Sequence, residues 1–392
     1  MSIWFLAKFL LLFIYLSLSA IITYIIYKEQ VVYYKPIYVT KKSEKEGEID
    51  EKVNLHDLFE EFRKRDKPIN IFRLFFGVLI FGVIRLISFV ICSTITTYKV
   101  SNRIKEKNHK LKKEDIDYIC STTKFFTKIF LEISGIRVNV KHLPDEKILP
   151  IYKKYFGPDY KIDYDGKFSC YISNHTCIYD LIFAMAFYGC GFVAKDAVKD
   201  YFIFGKLAAA LDTMFVDRNT TNSKKDILSE IVQRQKDFIE GKPVMPFMIY
   251  PEGTTTSGRH LLKFKKGAFS SLLPVKATIL FPNLSNEYHL SCGSSDVAMN
   301  FFRSLSKLYN ITEYVELPII SPNEYMYTNY AHFGKEKWEI YAEITRKIYC
   351  EIGGFEESDL GYRDDQIYSQ AILSGKYQPN KSNMDNKNKK NV

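Results

Sequence analysis

The chain has 392 residues, room for one large domain or two ordinary ones, and carries a formal charge of +10. That basic balance suits nucleic acid, an anionic membrane surface or a phosphate-bearing small molecule. The basic residues are scattered or flank apolar runs and form no recognition helix, which argues against a nucleic-acid partner. The seven Cys, an odd number, include no CxxC pair and read most simply as reduced thiols in a cytosol-facing domain. Cys170, His175, Cys177 and Cys190 are close in sequence, but their spacing matches no common zinc pattern, so no metal is expected.

The N-terminus opens with an apolar run, Ile3 to Tyr27, that holds one charge, Lys8. As a helix it is about 37 Å long, enough to cross a hydrocarbon core of roughly 30 Å. Residues 1–30 therefore read as a transmembrane helix. A signal peptide is disfavoured, because the run is too long and no small-residue cleavage site ends it. Lys28, Lys35, Lys41, Lys42 and Lys45 follow, which places the bulk of the chain in the cytosol. Residues 31–68 read as a charged linker. Residues 69–98 form a second membrane segment, apolar but interrupted by Arg73 and Arg85. A lone Arg at the bilayer centre costs about 2.5–3.5 kcal/mol. Basic residues flank the segment on both sides, and Gly77 and Gly82 permit a bend. These features favour a re-entrant hairpin or an interfacial helix pair over a tilted span.

Next, Ile116, Ile119, Cys120, Phe126, Ile129, Phe130 and Ile133 recur at helical spacing, and Gly135 stops the helix. Ile136, Val138 and Val140 alternate with polar residues, as in a strand. Residues 142–166 read as loop. Beyond them, Phe168–Ser173, Gly191–Ala194, Met214–Val216, Pro246–Tyr250 and Val275–Phe281 are strand candidates. They alternate with helix candidates at 178–188, 198–210 and 222–240. This order predicts an α/β fold, a mainly parallel sheet flanked by helices, with the N-terminal transmembrane or re-entrant helical region added. A main domain at 112–330, a C-terminal helical extension at 331–374 and a disordered, Asn- and Lys-rich tail at 375–392 complete the expected organisation.

Four clusters carry the chemistry. Asn174-His175-Thr176-Cys177-Ile178-Tyr179-Asp180 follows a strand. Histidine is the natural general base near neutral pH, and a carboxylate can fix its tautomer. The two residues meet only if His175 lies in the turn and Asp180 in the first helical turn, facing back. Taken alone, His-x4-Asp is more often a capping or core arrangement. Thr213-Met214-Phe215-Val216-Asp217-Arg218 puts an Arg at a strand end, a phosphate clamp or a plain surface ion pair. Tyr250-Pro251-Glu252-Gly253-Thr254 is a turn in which Gly253 permits close backbone approach; Lys263, Lys265 and Lys266 follow it. Leu273-Pro274-Val275-Lys276 enters a further strand.

In order and spacing, these clusters resemble the four sequence blocks of the glycerophospholipid acyltransferase family: His-x4-Asp, Phe-x-x-Arg, Pro-Glu-Gly-Thr and a Val-Pro-Val-like block. The stretch PEGTTTSGRHLLKFKKGAF is similar to the lysophosphatidylcholine and lysophosphatidylethanolamine acyltransferase branch. The likeness covers residues 115–370 and includes Tyr314 to Pro318 and Ser321-Pro322. The resemblance implies that His175 is the catalytic base and Asp180 its orienting acid. Arg218 would hold the acceptor's phosphate, and Glu252 and Gly253 would bind the acceptor, with Thr254 and Lys265 as neighbours. Pro274 would belong to the fourth block, tied to acyl-CoA or to shaping the site. Departures at Cys177-Ile178-Tyr179 and at Ala277 bear on substrate choice. No EF-hand loop is present, so calcium control is not implied.

The implied reaction transfers a fatty acyl group directly from acyl-CoA, the co-substrate, to a lysophospholipid hydroxyl, with no cofactor and no metal. His175 would take the hydroxyl proton, and backbone N–H groups near a helix start would hold the oxyanion. Expected partners are membrane lipids, acyl-CoA and a lysophospholipid or glycerophosphate acceptor. Lys389-Lys390 resembles a dilysine retrieval signal of the endoplasmic reticulum membrane. Glycerol 3-phosphate acylation, a transacylase, and a non-catalytic membrane scaffold are the competing readings.

Overall fold

The computed structural model describes residues 3–31, 38–41, 51–54, 71–107, 111–217, 221–281, 301, 304–361, 364 and 367. Arg218, most of the charged linker, and the tail with Lys389 and Lys390 lie outside the described residues.

Two helices precede the main body. The first, α1 (Ile3–Val31), is apolar as far as Tyr27 apart from Lys8. The second, α2, runs unbroken from Ile71 to Glu106, 36 residues or about 54 Å. The expected hairpin is therefore corrected to one continuous helix. Gly77 (φ −61°, ψ −45°) and Gly82 (φ −59°, ψ −48°) are both helical, and only a π-helical turn, Val78–Gly82, marks the place. Arg85 is the reason that the sequence misleads. It is buried and faces protein, donating to the carbonyls of Leu305 (2.9 Å), Leu308 (2.8 Å), Ile133 (3.2 Å) and Lys307. The penalty for an Arg in lipid, which argued for a bend, is not incurred.

The outer face of α2 is inverted relative to a soluble helix. Phe72, Phe76, Ile80, Ile84, Ile87 and Ile91 form an exposed stripe at spacings of three and four. Arg85, Ser88, Cys92, Ser93 and Thr96 are buried behind it.

Helix α3 (Lys113–Ile133) packs back against α2. Buried Asp115 accepts the Lys112 N–H at 2.9 Å and pairs with Arg103 at 2.6 Å, which fixes the corner. At Gly135 φ is +65°, and the Arg85 guanidinium lies 2.7 Å from where a Cβ would stand. Only glycine meets both conditions without a shift. Strand β1 (Ile136–Lys141) follows. The segment 142–166, expected to be loop, contains α4 (Asp145–Phe156), which buries Ile148, Tyr152, Tyr155 and Phe156. Pro144 before the helix and Pro150 inside it mask that periodicity in the sequence.

The chain then alternates: β2 (Tyr171–Ser173), α5 (Tyr179–Tyr188), β3 (Gly191–Lys195), α6 (Phe202–Ala210), β4 (Met214–Val216), α7 (Thr221–Ile239), β5 (Phe247–Ile249) and β6 (Lys276–Phe281). Strand β7 (Asn310–Glu316), α8 (Glu324–Asn329) and α9 (Lys337–Gly353) complete it. The seven-stranded sheet has the order β1-β7-β6-β2-β5-β3-β4. Strands β6, β2, β5, β3 and β4 are parallel; β7 pairs antiparallel with β6 and parallel with β1. This is the α/β architecture with a mainly parallel sheet that the sequence predicts.

Side chains alternate across the sheet. Phe247 and Ile249 of β5 face a core shared with α4, α7 and α9, whereas Met248 and Tyr250 face one shared with α2, α3, α5 and α6. The same alternation parts the cysteines: Cys170 lies in the first core, Cys177 and Cys190 in the second. Among the described residues no cluster of His, Cys, Asp and Glu is placed to hold a metal ion.

Candidate active site

In a parallel sheet, ligands bind beyond the carboxyl ends of the strands. The neighbouring strands β2 and β5 end there at Ser173 and Ile249, and each feeds a turn that carries the singled-out residues. After β2, Asn174 bonds β6 on both sides of its amide: Nδ2 donates to Leu280 O (2.9 Å) and Oδ1 accepts Leu280 N–H (2.8 Å). This fixes the strand end one residue before His175. Nothing in the sequence pattern marks Asn174 for this role.

His175 sits in the turn, and Asp180 is the second residue of α5. The two are brought together, with His175 Nδ1 2.8 Å from Asp180 Oδ2. The same oxygen accepts the backbone N–H groups of Thr176 and Cys177, the latter at 2.9 Å. Asp180 Oδ1 has Thr176 Oγ1 at 3.1 Å and Cys177 Sγ at 3.2 Å. A carboxylate has only acceptors, so it selects the tautomer with the proton on Nδ1 and leaves the Nε2 lone pair free. The side chain of His175 keeps 18 % of its surface exposed, whereas Asp180 keeps 2 %. One expectation is corrected here. The first N–H groups after His175 are committed to Asp180, so they are not the donors for a substrate oxyanion.

The Pro-Glu-Gly-Thr turn holds the other side of His175. Glu252 is fully buried: Oε1 accepts the His175 N–H at 2.8 Å, and Oε2 accepts the Leu262 N–H at 3.1 Å. The Thr256 N–H donates to His175 O at 2.9 Å. Both backbone polar groups of His175 are thus bound by this turn. Burial pushes the Glu252 carboxyl up to about 8, against the lowering effect of the two N–H groups. Glu252 therefore holds the His175 backbone in place and is enclosed by protein, which corrects its expected substrate-binding place.

Gly253 has φ +72°, in the region that favours glycine, and its N–H donates to Tyr250 O at 3.0 Å. Lys265 lies directly over it: its Cδ is 2.9 Å from the position a Cβ on Gly253 would take. The Lys265 N–H donates to Pro251 O at 2.8 Å, so the two segments form one unit, with Thr254 next in the turn. A short parallel ladder, Glu356–Glu357 on His260–Leu261, ties the C-terminal extension to this loop. Arg346 of α9 anchors that ladder through Ser358 O (3.1 Å) and Glu357 (3.4 Å).

Pro274 is not part of this site. Its carbonyl accepts the N–H and the Oγ–H of Ser169, both at 2.8 Å, at the opposite end of the sheet. Ser169 precedes His175 by six positions, roughly 20 Å of strand. Pro274 lies two residues before β6, at the end of the sheet away from His175, a correction to its expected place at the site. Arg218 follows β4 and Asp217 but lies outside the described residues.

Residues 165–282 match the family model described as Acyltransferase. The chain is 29% identical over 206 residues to Lysophospholipid acyltransferase LPEAT1 of Arabidopsis thaliana, covering 52% of this chain and 49% of that one. It is 29% identical over 176 residues to Lysophosphatidylcholine acyltransferase 1 of Homo sapiens, covering 45% and 31%. The crystal structure of the 1-acyl-sn-glycerophosphate acyltransferase PlsC from Thermotoga maritima aligns at TM-score 0.45 and 15% identity, over 70% of this chain and 95% of that one. The chain spans about half the length of the first relative and about a third of the second. The family model and these sequence relatives make residues 165–282 similar to an acyltransferase domain, and this is the stretch that holds the His175–Asp180 pair. The two sequence relatives are a lysophospholipid and a lysophosphatidylcholine acyltransferase.

Proposed function

We propose that the protein is an acyl-CoA-dependent lysophospholipid O-acyltransferase. The observation that carries this reading is His175, tethered at Nδ1 by buried Asp180, with Nε2 free at the carboxyl edge of the sheet. In the reaction, Nε2 takes the proton of the acceptor hydroxyl as its oxygen attacks the thioester carbonyl. The tetrahedral intermediate collapses, the C–S bond breaks, and the CoA sulfur leaves with the proton held by His175. Asp180 stabilises the imidazolium between these steps. Arg218 binds the acceptor phosphate, and Lys265, Gly253 and Thr254 border the acceptor. The scheme needs no cofactor or metal, with acyl-CoA as co-substrate.

The inverted face of α2 supports a membrane location, because an exposed apolar stripe over a polar, protein-facing side suits lipid. Lys28, Lys35, Lys41, Lys42 and Lys45 after the first apolar segment support a cytosolic catalytic domain, and the likeness of Lys389-Lys390 to a dilysine signal supports the endoplasmic reticulum membrane.

The test is acyl transfer by membranes that carry the wild type or His175→Ala. Labelled acyl-CoA is offered with lysophosphatidylcholine, lysophosphatidylethanolamine, lysophosphatidic acid and glycerol 3-phosphate. Transfer to a lysophospholipid that is lost in the variant supports the reading. Equal transfer by both proteins, or transfer to glycerol 3-phosphate alone, overturns it.

A further inference from the structure

The His175 imidazole has a second neighbour besides Asp180. Tyr250, the residue after β5, lays its ring parallel to that of His175, with centroids 4.3 Å apart and planes 22° from each other. Tyr250 is 7% exposed, and its hydroxyl has no partner among the described residues. A buried orphan hydroxyl carries a cost, so a residue kept there is kept for its ring. Its backbone is fixed as well, because Tyr250 O accepts the Gly253 N–H and closes the turn.

We propose that Tyr250 is a positioning residue for transfer at His175, an inference that rests on the function proposed above. The hydrogen bond at Nδ1 fixes one point of the imidazole and leaves the ring free to tilt about the line to Asp180. A flat face 4.3 Å away removes that freedom. With point and plane both fixed, Nε2 has one direction, outward from the sheet edge. The stack also favours the intermediate state: once His175 carries the acceptor's proton, a cation lies over an electron-rich ring. The hydroxyl takes no part in either effect.

Three variants test this in the full-length protein in membranes. Tyr250→Phe keeps the ring, and kcat is expected to stay within about twofold of wild type. Tyr250→Leu removes the face, and kcat is expected to fall about tenfold, with KM for both substrates little changed. Tyr250→Met fills the space without a ring and is read in place of the Leu variant if that one melts far below wild type. A readout independent of turnover is carbethoxylation of His175 by diethyl pyrocarbonate, followed by mass spectrometry. Modification is expected to speed up in Tyr250→Leu and Tyr250→Met but not in Tyr250→Phe. A ring-free variant with wild-type kcat and wild-type modification overturns the proposal, as does a loss that appears in KM alone. If His175→Ala remains fully active, the proposed function fails instead; the modification rates then still decide whether Tyr250 holds the imidazole.

Discussion

Glu252 Oε1 lies 2.8 Å from the backbone nitrogen of His175, while its other oxygen lies 3.1 Å from that of Leu262. One buried carboxyl thus joins the turn after β2 to the loop after β5. Glu252→Ala leaves two buried N–H groups without acceptors, each at a cost of about 1–3 kcal/mol. Unfolding free energy is expected to fall by about 3 kcal/mol, and kcat to fall with it as His175 shifts. Denaturant titration and initial rates check this together. A variant as stable as wild type would show that the two loops hold without the clamp.

The same carboxyl gives a pH dependence of stability. Its pKa rises from 4.5 to about 8 on folding, because burial disfavours the charged form. Between those values the unfolded chain has lost the proton and the folded chain retains it. Stability therefore falls as pH rises through this window and levels off above it, with a slope of at most about 1.4 kcal/mol per pH unit. Glu252→Gln cannot ionise, so the stability of wild type measured relative to the variant should fall steadily from pH 5 to pH 8. A difference that stays flat over that range refutes the assignment.

Asp180→Asn separates charge from geometry. An amide can place its oxygen at the Oδ2 position, where it keeps the contacts to His175 and to the N–H groups of Thr176 and Cys177. The Thr176 hydroxyl can rotate to accept from the new NH2. What disappears is the negative charge opposite the imidazolium. Melting temperature is expected to change little, whereas kcat is expected to fall about 100-fold. Full activity in Asp180→Asn would leave Asp180 a purely structural role.

Much of this was legible in the sequence, for identifiable reasons. The strands and helices between Tyr171 and Phe281 are short segments with sharp apolar edges, and their alternation admits few architectures. His175 and Asp180 are five residues apart, so a single strand–turn–helix reading places them. The features that were missed depend on distant partners. Glu252 looks like an acceptor ligand until its 77-residue reach to His175 is seen. The stack of Tyr250 on His175 leaves no trace in spacing. Pro274 stands close to the Pro-Glu-Gly-Thr turn in sequence, yet β6 carries it to the other end of the sheet. Strand β7 alternates poorly, with both Tyr314 and Val315 buried, because its faces meet two different cores.

Arg85 is the sharpest of these cases and supports a final prediction. Its guanidinium is held by carbonyls 48 to 223 residues away in sequence, at the end of α3 and in the segment before β7. An α-helix leaves its last carbonyls unpaired, with partial negative charge at that end. Arg85 satisfies one of them, Ile133 O, while bracing Leu305 and Leu308. It therefore links α2 to the seven-stranded sheet through α3 and the segment before β7. Arg85→Met removes the donors and leaves buried carbonyls behind, at an expected cost of about 2–4 kcal/mol. Arg85→Lys should recover less than half of that, because a compact ammonium cannot span carbonyls that a planar fork reaches. Denaturant titration in detergent measures the loss, and limited proteolysis should cut between residues 304 and 309 faster in the Met variant. If both substitutions leave stability and cleavage unchanged, α2 is held by its packing on α3 and α6 alone.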